Sequence, residues 1–167
     1  MNMQEVFDTV ARHLLKQMSV SMGEGGKCAY RGQGGKMCAV GVLIKDECYF
    51  KWLEDQPVLN HQVQEALMAS GVEMTLDVAY MLKELQSIHD YYGTANWAAE
   101  LYLVARDYGL ETTAIDGGFY GSQKLLFLAT GQARPLHATC KGRAILQRSI
   151  LGFSGYAGYH WGRLATP

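Results

Sequence analysis

Val6, Phe7, Val10, Leu14 and Met18 recur at intervals of three and four residues, which predicts a helix at the start of the chain. Asn2 and Glu5 stand at capping-box spacing ahead of it, and Gly23-Glu24-Gly25-Gly26 lies beyond its end near Met18. His13 falls between the apolar face and solvent and reads as a surface residue. The pattern then changes. Residues 27–31 and residues 36–44 are two apolar runs joined by Gly32-Gln33-Gly34-Gly35, which is a β-hairpin signal because glycine accepts the positive φ angles of such turns. The second run is apolar nearly throughout, so it reads as a strand covered on both faces or a strand leading into a buried turn.

Three more helices carry start and stop residues. Asn60 caps a segment with Val63, Ala66 and Leu67 that closes at Gly71. Thr75 caps one with Val78, Met81, Leu82, Leu85 and Ile88 facing inward, and Thr94 caps one with Trp97, Leu101, Val104, Ala105 and Tyr108 that closes at Gly109. Further on, residues 125–128 read as an additional strand, and residues 143–151 as a short helix with Ile145, Leu146 and Ile150 inward. The expected fold class is therefore α+β: an N-terminal helix, a short β-hairpin, three further helices and an irregular C-terminal extension.

The chain has 167 residues, about one domain, with 49% hydrophobic and 19% charged residues, a globular composition rather than a disordered, collagenous or coiled-coil one. The formal net charge of -1 is a sum of two unlike parts. Residues 1–114 hold 9 Lys/Arg and 15 Asp/Glu, whereas residues 115–167 hold 6 Lys/Arg and only Asp116. This divides the chain into a compact acidic domain, 1–114, and a basic Gly/aromatic-rich extension, 115–167, expected to dock on it. No stretch approaches the roughly 20 apolar residues that span a bilayer, and the N-terminus lacks the basic start and apolar run of a secretory signal. A cytoplasmic protein with no membrane partner is expected. Cys28, Cys38, Cys48 and Cys140 then read as small buried residues rather than a disulfide scaffold.

The candidate chemistry is sparse. Gly32-Gln33-Gly34-Gly35-Lys36-Met37 lacks the spacing of a phosphate loop and reads as a hairpin tip. His89-Asp90, followed by Tyr91-Tyr92, is the most reactive-looking cluster, since an imidazole oriented by a carboxylate serves as a general base. Neighbours on a helix point about 100 degrees apart, however, which places Asp90 poorly to orient His89 and favours capping and packing. No C-x-x-C, H-E-x-x-H or G-x-S-x-G spacing occurs. No catalytic residue, metal ligand or cofactor is assigned, and a small hydrolase or metal protein using His89 with cysteines stands as an alternative. In the extension, Lys141, Arg143, Arg148 and Arg163 interleave with Tyr156 and Tyr159, and such a segment can stack on bases while its cations meet phosphates. A nucleic-acid-binding module is thus a second alternative.

The string Cys28-Ala29-Tyr30-Arg31, with Lys36-Met37-Cys38-Ala39-Val40-Gly41-Val42-Leu43-Ile44, Asp46-Glu47 and Leu85-Gln86-Ser87-Ile88-His89-Asp90, resembles a small family of uncharacterised tailed-phage and prophage proteins. The resemblance covers residues 2 to about 112; Val42 stands where the family often has Cys, and Lys45 where it often has Pro. It implies a phage context, hence the cytoplasm of an infected cell, and no mechanism. Together with small size, absent catalytic spacing and split charge, it leads to the expectation of a non-enzymatic phage accessory protein. Such a protein would bind a host or phage protein complex, as an anti-CRISPR-like inhibitor of a host defence complex does. The expected contact residues are the acidic Asp46, Glu47, Glu54 and Asp55, with Tyr30 and Arg31 as anchors because Tyr and Arg are enriched at binding hot spots.

Overall fold

The computed structural model describes residues 1–117. Among these described residues, five α-helices, α1 (Met3–Gln17), α2 (His61–Ala69), α3 (Leu76–Tyr91), α4 (Trp97–Asp107) and α5 (Thr113–Asp116), are joined by loops built from short 3-10 turns. The strand over 125–128, the helix over 143–151 and the nucleic-acid set at Lys141, Arg143, Arg148, Tyr156, Tyr159 and Arg163 lie outside the described residues.

Local signals set α1. Asn2 Oδ1 accepts from the Glu5 N–H at 3.0 Å while a Glu5 carboxylate oxygen accepts from the Asn2 N–H at 2.8 Å, a complete capping box. Val6, Phe7, Val10, Ala11 and Leu14 are fully buried and form the centre of the core, against which α3, α4 and α5 pack. Met81, Leu82 and Leu85 from α3, Trp97, Leu101 and Ala105 from α4 and Ile115 from α5 complete it. The core therefore extends to Ile115, one residue past the sequence boundary at 114. Asn60 and Thr75 cap α2 and α3 as their spacing predicts, through the Gln62 and Val78 N–H groups. Thr94 does not cap α4: residues Thr94–Asn96 form a 3-10 turn, and the α-helix begins at Trp97.

The α+β expectation is overturned. Among the described residues there is no sheet and no hairpin, only the isolated bridges Met22↔Cys28 and Arg31↔Met37. The physical cause is a competing acceptor. The next ladder bond would run from the Tyr30 N–H to the Cys38 carbonyl, but the Tyr30 N–H donates to one carboxylate oxygen of Glu54 at 2.8 Å, while the outward-facing Arg31 N–H donates to the other at 2.9 Å. Two pairing bonds remain around the Arg31↔Met37 bridge, from the Gly32 N–H to the Lys36 carbonyl at 2.8 Å and from the Cys38 N–H to the Tyr30 carbonyl at 3.2 Å. The apolar run then coils into a buried turn, Gly41–Leu43, in which the Leu43 N–H bonds the Val40 carbonyl. Gly41 is needed there because an added Cβ would lie 2.0 Å from the Tyr30 carbonyl oxygen.

In place of the hairpin stand two copies of one loop. Gly23-Glu24-Gly25-Gly26-Lys27 and Gly32-Gln33-Gly34-Gly35-Lys36 share a Gly-[Glu/Gln]-Gly-Gly-Lys pattern nine residues apart. Each closes with the same bond, first-Gly N–H to Lys carbonyl at 2.8 Å, and each turns through positive-φ glycines: 78° at Gly25 and 70° at Gly34. The loops stack by the Gln33 N–H donating to the Met22 carbonyl at 2.8 Å.

Candidate functional site

The residues with recognisable chemistry fall into an inner set and an outer set. The inner set centres on His89, in the last turn of α3 and fully buried, with its ring stacked on Trp97 at 5.7 Å between centroids. The Ser21 backbone N–H donates to its Nε2 at 2.8 Å. That fixed donor requires an unprotonated Nε2, so the neutral ring carries its proton on Nδ1, which donates to Asp90 Oδ1 at 2.9 Å. The expectation that Asp90 points too far from His89 is thereby corrected: Nδ1 lies on the backbone side of the ring, within reach of the next residue's short carboxylate. Gln86 Nε2 donates to the same Asp90 oxygen at 2.8 Å, and Gln86 Oε1 accepts from the Val40 N–H at 3.3 Å. The relay thus ties the twin loops and the buried turn to α3.

Cys28, His89 and Asp90 each bring one potential ligand atom within 4.8 Å of the others, a cluster the sequence spacing did not suggest. Its hydrogen bonding argues against a ligand set. A metal on Nδ1 would force the proton onto Nε2, against the Ser21 N–H, and both ring nitrogens are already engaged. Cys28 is disulfide-bonded, contrary to the reading of all four cysteines as plain buried thiols, whereas Cys38 and Cys48 are free. Cys38 is fully buried, and burial pushes its thiol up to about 12, so it stays protonated and inert. His89 has no lone pair or surface to offer a substrate.

Of the expected contact residues, Tyr30 and Glu54 are committed internally. Tyr30 is 5% exposed and donates its hydroxyl to the Gln56 carbonyl at 2.6 Å; burial raises its phenol above the usual range. Glu54 accepts from the Tyr49 hydroxyl at 2.8 Å as well as from the two backbone groups, making it a three-donor clamp. Arg31 is pinned by Asp46 at 2.7 Å, by the Ile44 carbonyl at 2.9 Å and by the Tyr49 ring, 4.2 Å from its guanidinium carbon. Asp46, Glu47 and Asp55 face solvent, Asp55 beside Lys27 at 3.5 Å.

The outer set adds residues the sequence reading missed. Phe50 and Trp52 are 52% and 53% exposed, with rings stacked at 5.6 Å and 9° between planes. They line an open groove of about 290 Å³ together with Glu47, Cys48, Glu65 and Ala66, between the 46–53 loop and α2. The available signal was the run Tyr49-Phe50-Lys51-Trp52, aromatic-dense yet outside any helical period and followed by two acids. No helix among the described residues is long and apolar enough to cross a membrane. No protein-family model, curated protein or solved structure matches the chain.

Proposed function

We propose that this protein works by binding, not by chemistry of its own, and that its partner is a macromolecule with a basic surface. The observation that carries this reading is the exposed Phe50–Trp52 stack on a loop that also presents Asp46, Glu47 and Asp55 to solvent. Large aromatics left half in water cost solvation unless covered, and aromatic anchors ringed by charge are how many interfaces obtain both affinity and selectivity. The inner set supports the same reading, because its imidazole, carboxylates and buried thiol are consumed in holding the loops. The phage-like motif supplies the context: an accessory protein acting on a host or phage complex, with inhibition of a host defence complex, in the anti-CRISPR manner, as the proposed role.

The test is affinity capture from host lysate with wild-type protein, Glu47→Lys/Asp55→Lys and, as a control on another face, Glu73→Lys. A specific protein retained by wild type and Glu73→Lys but lost from the double reversal supports the reading. Equal retention by all three contradicts it. Glu54 is unsuited to such a test because its carboxylate is structural.

A further inference from the structure

The 46–53 loop already shows how this chain holds a guanidinium. The Arg31 guanidinium carbon lies 4.2 Å from the centre of the Tyr49 ring while Asp46 pairs with the same group at 2.7 Å, so one aromatic face and one exposed carboxylate, three residues apart, seat a single arginine. One residue on, the loop repeats the arrangement. Glu47 and Phe50 stand at the same spacing, Phe50 stacks with Trp52, and all three line the groove of about 290 Å³ beside α2.

This second set has no cation of its own among the described residues. Glu47 has no ion-pair partner there, and Glu65, from α2, meets only His61 of its own helix, at 3.5 Å with both side chains more than half exposed. Ala66 and Ala69 give the α2 side of the groove short apolar side chains. The volume matches roughly ten water molecules in the liquid and lies at the lower edge of the about 300 to 1,000 Å³ usual for ligand pockets, which suits one long side chain and not a helix or a strand. An arginine meets every feature: an aliphatic stem for the alanines, a planar and weakly hydrated cation for the ring face, and a fork of donors for the carboxylates. The lysine ammonium is a compact, strongly hydrated charge that loses more solvation and cannot lie flat on a ring.

We propose that the groove formed by Glu47, Phe50, Trp52 and Glu65 is the seat for one arginine side chain of a protein partner, with the guanidinium on the aromatic stack and paired with the carboxylates. This rests on the reading of the same face as the partner surface, and it names the chemistry of the partner's anchor. Arginine is among the residues that most often dominate binding energy at interfaces. The two carboxylates repel phosphates, so the groove selects a basic protein surface against nucleic acid.

Titration of the isotope-labelled full chain with a blocked glycine peptide carrying one central arginine, followed by NMR at the Trp52 indole N–H, tests this directly. Trp52→Phe identifies that signal, and the Trp97 indole, which is buried and donates to the Tyr92 carbonyl at 3.0 Å, reports the intact fold. The Trp52 signal is expected to shift saturably, with a dissociation constant in the millimolar range for a single side chain. The same peptide with lysine, or with neutral citrulline, is expected to bind at least about fivefold more weakly. Glu47→Gln/Glu65→Gln, at two exposed positions, is expected to weaken the arginine peptide at least about fivefold while the Trp97 signal stays in place. A Trp52 signal that ignores the arginine peptide, as it would if another part of the chain covered the groove, overturns the proposal. So does an equal response to the three peptides, or undiminished binding in the double variant. A Trp52 signal that moves with protein concentration before any peptide is added would make the groove a contact between two copies, and overturns it too. The binding function is judged separately: a protein captured by wild type and lost from Glu47→Lys/Asp55→Lys upholds it whatever the peptides show.

Discussion

The buried relay around His89 and the open loop from Asp46 to Asp55 hold the same kinds of side chain in opposite states. Inside, every polar group of the relay has a partner: Ser21 N–H, both imidazole nitrogens, Asp90, and Gln86 bonded on both sides. Outside, two large rings and several carboxylates stand in water with at most one long-armed partner each. The difference teaches how to read reactive residues in a small protein. A histidine beside an aspartate suggests catalysis in the sequence, but its chemistry is spent once a fixed backbone donor occupies one nitrogen and the carboxylate the other. Function is better sought where the fold has left its solvation costs unmet.

The contrast can be broken most severely from the inside. His89→Ala strands the Ser21 N–H and opens a cavity beside Trp97, and is expected to cost roughly 3 to 4 kcal/mol in urea unfolding. Glu54→Ala, which leaves the Tyr30 and Arg31 N–H groups and the Tyr49 hydroxyl without their acceptor, is expected to cost about 2 to 3 kcal/mol. Glu54→Gln, keeping one acceptor oxygen, should cost less. By contrast Trp52→Ala should change stability by no more than about 0.5 kcal/mol while weakening partner capture at least about tenfold. Loss of fold in that variant would place Trp52 in the structural set instead.

The smallest effect at neutral pH is electrostatic. Cys38 is raised from 9.0 to about 12 by burial, and Tyr49 from 10.0 to about 12 by burial and then by its bond to Glu54. The folded state therefore keeps protons that the unfolded state releases, and this contribution is whole below about pH 9 and is lost as pH rises toward 12. Thermal unfolding followed across that window should show stability falling with pH, more shallowly in Cys38→Ala once its lower baseline is subtracted. An equal slope in the two proteins would count against the assignment.

What the sequence revealed depended on how local each feature is. The capping box of α1 and the caps at Asn60 and Thr75 are bonds between residues two or three apart, and all three were legible. The hairpin was not excluded by anything nearby: the carboxylate that diverts the Tyr30 N–H lies more than twenty residues on. The His89–Asp90 contact was misjudged because position on a helix was weighed without the direction of the ring nitrogen. The twin loops, repeated at nine residues, and the aromatic run at Tyr49-Phe50-Lys51-Trp52 were visible as strings. Their meaning came only with the closing bonds of the loops and the exposure of the rings.

The central claim, that the outer face binds while the inner set only holds the fold, is tested most directly by measuring partner capture alongside the melting temperature for Glu47→Lys/Trp52→Ala. The account predicts a melting temperature close to that of wild type and capture reduced at least about tenfold. Undiminished capture by a fully folded variant would contradict it.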